Sequence, residues 1–175
     1  MRFTETCLKG AYIIEIEPME DERGFFARSW CQKEFAAHSL NSDFVQCNIS
    51  FNKERGTLRG MHYQAKPHEE AKLVRVTMGA IYDVIIDLRS DTSTFRQWFG
   101  AELTAHNHKM IYVPEGFAHG FQTMEDNTEL LYFHTEFYRP ECEEGVRYND
   151  PAISISWPLG ITNLSKKDVN HPLLG

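Results

Sequence analysis

The feature that most constrains the fold is the rhythm of the chain after residue 43, where short alternating or apolar runs are interrupted by turn residues at close intervals. Phe44–Ser50 and Lys72–Thr77 alternate, and Met78-Gly79-Ala80 marks a tight turn into Ile81–Leu88, which predicts a hairpin between the last two runs. Further strands are expected at Trp98–Leu103, Met110–Pro114, Gly120–Met124, Glu129–Tyr138 and Ile153–Trp157. Earlier, Leu8–Pro18 reads as strand, Asp21-Glu22-Arg23-Gly24 as a turn and Phe25–Trp30 as extended chain. Phe35, Ala36 and Leu40 share a helical face, which predicts a short helix over Gln32–Leu40. Ser165-Lys166-Lys167-Asp168 has capping-box spacing with Asp in place of Glu and predicts a short final helix. Many short strands and little helix imply one all-β domain over residues 1–175, a sandwich or barrel with short flanking helices.

A formal net charge of −7 argues against nucleic acid as the partner, because neutralising phosphates needs a basic face. Cys7, Cys31, Cys47 and Cys142 lack CxxC or Cys/His spacing, so they are expected as free thiols rather than zinc ligands. No apolar run approaches a membrane span, and no signal peptide is visible, so a cytoplasmic protein is expected. Aromatic residues are plentiful, which suits either a β-rich core or a pocket that stacks a flat ring.

Several ionisable residues stand where strands or turns could aim them at a pocket: Arg59 and His62 in RGMHYQ, Lys72 at a strand start, His119 in PEGFAHGF, and Tyr132 in LLYF. Tyr138 lies six residues after Tyr132, on the same expected strand face. Each also has a purely structural explanation: a hydrogen-bonded core histidine, a solvated edge lysine, a packed ring, a helix cap. A metal centre in such a β-rich domain needs closely spaced histidines. Gln64 stands where the second would be, which leaves His62 and His119 as an incomplete set, and no metal is expected.

Taken together and in order, DERGFF (21–26), QCNIS (46–50), GTLRGMHYQ (56–64), KLVRV (72–76), PEGFAHGF (114–121), NDP (149–151) and SKKD (165–168) resemble the dTDP-4-dehydrorhamnose 3,5-epimerase family along nearly the whole chain. The resemblance implies a cupin-type jelly-roll homodimer with a site inside each barrel, acting without a cofactor on a nucleotide-linked 4-keto-6-deoxyhexose. It implies His62 as general base oriented by Asp168, Tyr132 as the acid on the opposite face of the sugar, and Lys72 as the cation beside the enolate. Arg59 and His119 would meet the sugar and diphosphate. Arg23, Phe26, Gln46, Asn48 and Glu143 would contact the nucleotide, and Tyr138 would be a further pocket residue.

Three positions depart from the family pattern. Arg28 stands where a glutamate is usual, Glu70 replaces a glutamine and Tyr148 replaces a tryptophan. A guanidinium in place of a carboxylate reverses charge and exchanges acceptor for donors, which opens the choice of nucleotide if Arg28 faces the site. The alternatives are therefore an epimerase acting at one centre only, on a CDP-linked or other sugar, then a metal-dependent oxygenase, then a sugar-binding module without turnover.

Overall fold

The computed structural model describes residues 1–175. Its strands are β1 (Arg2–Glu5), β2 (Tyr12–Glu15), β3 (Met19–Asp21), β4 (Gly24–Phe26), β5 (Gln46–Asn52), β6 (Leu58–Gln64) and β7 (Lys72–Met78). They continue as β8 (Ala80–Asp87), β9 (Trp98–Thr104), β10 (Met110–Val113), β11 (Phe117–Thr123), β12 (Thr128–His134) and β13 (Glu143–Gly145). Two short helices, α1 (Gln32–Ala37) and α2 (Lys166–Val169), flank them. A six-stranded antiparallel sheet runs β1-β2-β10-β7-β12-β5, a five-stranded one runs β13-β6-β11-β8-β9, and β3-β4 is a separate hairpin. This is the all-β sandwich that the alternation implied, with the jelly-roll form that the resemblance implied.

Period-2 geometry sorts each strand between two environments. Val74 and Val76, Ile81 and Ile85, Phe117 and Phe121, and Leu130 point between the sheets and form the main core. The residues between them face outward. Leu73 joins Phe35, Ile14 and Tyr112 beneath α1, while Val84, Ile86 and Ala118 pack with Met61 and Val146 on the outside of the five-stranded sheet. Polar residues on the inward face of these same strands are therefore committed to the barrel interior: Lys72, Asp83, His119, Tyr132 and His134.

The expected hairpin between Lys72–Thr77 and Ile81–Leu88 does not form. β7 pairs with β10 and β12, and β8 with β9 and β11, so the turn at Gly79 is a corner carrying the chain from one sheet to the other. Two apolar strands that each take two neighbours bury more surface in opposite sheets than as a hairpin. Gly79 has φ +75°, and a side chain there would collide with Thr128. Ile153–Trp157 is not a strand either. Its apolar residues cover the outer face of the five-stranded sheet as irregular chain, held by the Trp157 indole N–H donating to the Tyr148 carbonyl at 2.9 Å. β12 ends at His134, so Tyr138 lies in the following loop and not on the strand of Tyr132. Leu8–Pro18 is strand only over Tyr12–Glu15, and Phe25–Trp30 only at its first two residues. β1, β3, β6 and β13 are strands the alternation did not single out. No helix is long and apolar enough to cross a membrane.

Candidate active site

The barrel interior between the sheets opens into a 240 Å³ cavity whose lining includes Asn48, Lys72, His119, Tyr132 and His134. Arg59 and His62 also line it, and both continue into a neighbouring 260 Å³ cavity that reaches Glu143, Lys167 and Asp168. His62 on β6 lies directly opposite His119 on β11. Tyr132 and Lys72 come from β12 and β7 in the other sheet. The groups thus approach one space from opposite walls.

His62 Nε2 lies 2.8 Å from Asp168 Oδ1. Asp168 is buried at the start of α2, where its backbone N–H donates to the Ser165 hydroxyl at 3.0 Å, and its second oxygen accepts from the Gly60 N–H at 3.3 Å. Burial pushes this carboxyl up, but the His62 hydrogen bond and charge, with the Gly60 and Ser165 bonds, outweigh it and hold it below the usual range. An ionised Asp168 accepts from Nε2–H, and that tautomer leaves the Nδ1 lone pair free as a base. The segment with capping-box spacing therefore also holds the carboxylate that fixes an imidazole, the pairing that the resemblance implied.

A second buried pair, which the sequence reading did not single out, stands behind the first wall. His119 Nε2 lies 2.8 Å from Oδ2 of the fully buried Asp83, whose Oδ1 has no partner. Desolvation pushes the Asp83 carboxyl up, against the pull of His119 and Lys72. Asp83 sits between Ile81 and Ile85 on the inward face of β8, and a carboxylate in that apolar alternation was the available signal.

Tyr132 lies beside His119, ring centroids 5.9 Å apart. Desolvation, and next the Asp83 charge, push its hydroxyl far above its ordinary value, while Ser50 and Arg59 pull the other way, so the phenol stays protonated. Lys72 Nζ is 3.0 Å from Glu70 Oε1, and the other Glu70 oxygen is 2.8 Å from His134 Nδ1. Burial raises Glu70, but the His134 hydrogen bond and the Lys72 charge prevail and keep it below its ordinary value. The Glu70 departure thus supplies a carboxylate shared by a lysine and a histidine, and His134 is a second pocket residue that sequence reading missed.

Arg59 Nε donates to Asn52 Oδ1 at 2.7 Å, which aims the guanidinium along the cavity. Asn48 on β5 lines the cavity, with its Nδ2 3.4 Å from His134 Nε2, whereas Gln46, at the start of the same strand, lines a separate pocket with Trp30, Phe44 and Phe133 and accepts from the Tyr138 N–H at 3.2 Å. Tyr138 donates its hydroxyl to Glu143 at 2.6 Å, and Lys167 Nζ lies 2.6 Å from the same carboxylate, so the loop residue still joins this end of the site. Arg23 and Phe26 do not. They lie on the β3-β4 hairpin, exposed, with Arg23 held by Asp21 and Phe26 70% exposed. Arg28 does not face the cavity either; its guanidinium donates to Glu34 of α1 at 2.7 Å. Among metal-ligating side chains, His62, Asp168 and His171 place their donor atoms within 4.8 Å of one another.

The family model for dTDP-4-dehydrorhamnose 3,5-epimerase matches residues 5–175. An epimerase of that name from Methanothermobacter thermautotrophicus is 42% identical over 172 residues, covering 97% of this chain and 92% of the relative. The crystal structure of the Bacillus anthracis enzyme, with TDP and PPi bound, superposes with TM-score 0.95 at 43% identity and covers 99% of both chains. The Legionella pneumophila enzyme, in complex with dTDP-4-keto-L-rhamnose, gives TM-score 0.92 at 38% identity, covering 98% of this chain and 92% of that one.

Proposed function

The chain belongs to the dTDP-4-dehydrorhamnose 3,5-epimerase family and is a sugar-nucleotide epimerase, and we propose that it inverts C3 and C5 of dTDP-4-dehydro-6-deoxyglucose to give dTDP-4-dehydro-L-rhamnose. The observation that carries the mechanism is the placement of His62 and Tyr132 on opposite sheets across one cavity. Carbons 3 and 5 flank the C4 ketone, which acidifies their protons. His62 Nδ1 takes the proton from one carbon, the C–H electron pair moves into the C4 carbonyl, and the resulting enolate oxygen is stabilised by Lys72. Tyr132 returns a proton to the same carbon from the opposite face, which inverts it, and the phenolate and imidazolium then re-equilibrate with water. Asp168 holds the base in its working tautomer and supports the imidazolium. His119, kept in place by Asp83, and Arg59 contact the sugar and diphosphate.

Gln46, Asn48 and Glu143 contact the nucleotide from this chain, with Tyr138 beside them. Arg23 and Phe26 act from the hairpin of a second copy in a homodimer. Their absence from the walls of their own cavity supports that reading, as do the exposed Val45, Ile49 and Phe51 on the edge strand β5 or just before it and Met19, Phe25 and Phe26 on the hairpin. Arg28, already paired with Glu34, leaves thymidine as the base. Four unpaired cysteines fit a cytoplasmic location.

Proton NMR in deuterated water with dTDP-4-dehydro-6-deoxyglucose tests the reaction. Deuterium is expected at both C3 and C5. Label at one carbon would reduce the enzyme to a single-centre epimerase, and no label would transfer the activity to another nucleotide sugar. His62→Ala abolishes exchange on this mechanism; substantial residual exchange would remove His62 as the base.

A further inference from the structure

His171 is not needed by the mechanism above, yet it is buried against the His62–Asp168 pair. Its Nε2 lies 3.6 Å from Asp168 Oδ1, beyond hydrogen-bonding distance, and has no partner at all. Its ring meets the His62 ring edge to face, centroids 5.5 Å apart. The seat is specific, because His171 packs on Gly145 of β13 and a side chain at that position would overlap the imidazole. A buried nitrogen without a partner, facing a carboxylate and a second imidazole, is half of a coordination site.

We propose that His62 Nε2, Asp168 Oδ1 and His171 Nε2 form a zinc(II) site, and that zinc bound there switches the epimerase off. Two imidazoles and a carboxylate are a donor set zinc favours, with water completing a tetrahedron. The donor atoms lie within 4.8 Å of one another, with His62 Nε2 2.8 Å and His171 Nε2 3.6 Å from Asp168 Oδ1, so shifts of about 1.5 Å or less bring them to the roughly 3.3 Å spacing of tetrahedral ligands. Asp168 supplies the negative charge. The nearest lysine, Lys167, is neutralised by Glu143 at 2.6 Å, so the ion meets no free cation there.

The inhibition rests on His62 being the base. Zinc takes the Nε2 lone pair, and the single proton of the neutral ring moves to Nδ1, the atom that must otherwise accept a proton from the sugar. No other bond is made or broken and nothing is oxidised; the base is lost because its lone pair is covered. Magnesium and calcium, which prefer oxygen ligands, are excluded by the two nitrogens.

The test titrates zinc chloride alone into chelator-stripped protein by calorimetry and follows epimerase activity in the same solutions. Wild type is expected to take up one zinc per chain and to lose activity in proportion, with recovery on adding EDTA. His171→Asn is expected to keep basal activity within about 2-fold and to weaken zinc binding by roughly 100-fold, at or above what outer-shell changes cost. Gly145→Ala, which displaces the His171 ring without changing a ligand, is expected to weaken zinc binding in the same direction. Melting curves establish that both variants are folded. Equal zinc affinity in wild type and His171→Asn, as from surface thiols, would overturn the site, as would the absence of stoichiometric binding. Stoichiometric, His171-dependent binding to an enzyme that stays active would uphold the site and overturn His62 as the base.

Discussion

Asp168→Asn isolates what the buried carboxylate contributes, because it keeps size and shape while removing one charge and one acceptor. Asp168 now serves two donors with two oxygens, His62 Nε2–H at 2.8 Å and the Gly60 N–H at 3.3 Å. Asparagine has one carbonyl oxygen and must abandon one of them. If its amide faces His62, the imidazole proton is driven to Nδ1 and the base is lost. If its oxygen faces His62, the tautomer survives but the imidazolium formed on proton abstraction has no counter-charge. Unit charges about 4 Å apart at an effective dielectric near 20 interact by ~4 kcal/mol, and the amide dipole recovers part of that. A net loss of about 2–4 kcal/mol corresponds to a roughly 30- to 1,000-fold fall in kcat. Stability changes little, since asparagine has no charge to desolvate and the helix cap uses the residue's backbone N–H, which donates to Ser165 at 3.0 Å. The net cost there is about one hydrogen bond, ~1 kcal/mol. The assay is deuterium incorporation at C3 and C5 by NMR beside a thermal melt. A folded variant whose exchange rate stays within about 3-fold of wild type would refute the orienting role of Asp168, since that loss is worth under ~1 kcal/mol.

On the proposed mechanism Tyr132→Phe removes the proton returned from the far face, so deuterium exchange is expected to survive better than inversion; equal loss of both, by NMR, would argue against the acid role. His134→Phe leaves the Glu70 carboxylate, now shared between His134 at 2.8 Å and Lys72 at 3.0 Å, with the lysine as its one remaining partner. An uncompensated buried anion that claims Lys72 is expected to lower kcat by about 10-fold with KM little changed, and adding Glu70→Gln is expected to restore most of it. Steady-state kinetics of the single and double variants check this, and simple additivity would refute it. Asp168 and Glu70 both titrate below their ordinary values in the folded chain. Their stabilisation is therefore complete above the unfolded carboxyl pKa of about 4 and is lost as pH falls through the lower folded values. Melting temperature is expected to drop below about pH 4, less steeply in Asp168→Asn and Glu70→Gln; parallel acid limbs in all three proteins would contradict the assignment.

The inner and outer faces of the sheets were legible because burial writes itself into period-2 alternation, as in Leu73 outward and Val74 inward on β7. Which strand pairs with which was not, because alternation records the face a side chain takes and carries no information on the neighbour across the ladder. Gly79 shows the limit. The same tight turn serves a hairpin or a corner between sheets, and the choice depends on β10 and β12 competing for β7 from far along the chain. Trp157 and Ile153 show another limit: apolar residues can cover a sheet without joining it.

The site divides along the same line. His62, Lys72, Tyr132 and His119 were readable as polar residues in strand patterns, and Asp168 entered only through the resemblance, since locally it is a helix residue behind a serine cap. Asp83 had the same local signal as Lys72 but no motif around it, and it was passed over. Glu70 and His134 carry a different lesson, because neither has meaning alone. They stand far apart in sequence, and the strand register puts His134 directly opposite Lys72 while the chain entering β7 brings Glu70 to both. A glutamate introduced beside the lysine that we propose stabilises the enolate would by itself cancel the charge the reaction needs. A histidine on the carboxylate's other oxygen shares that anion, so Glu70 and His134 make chemical sense only as a pair, and only the fold brings the pair together.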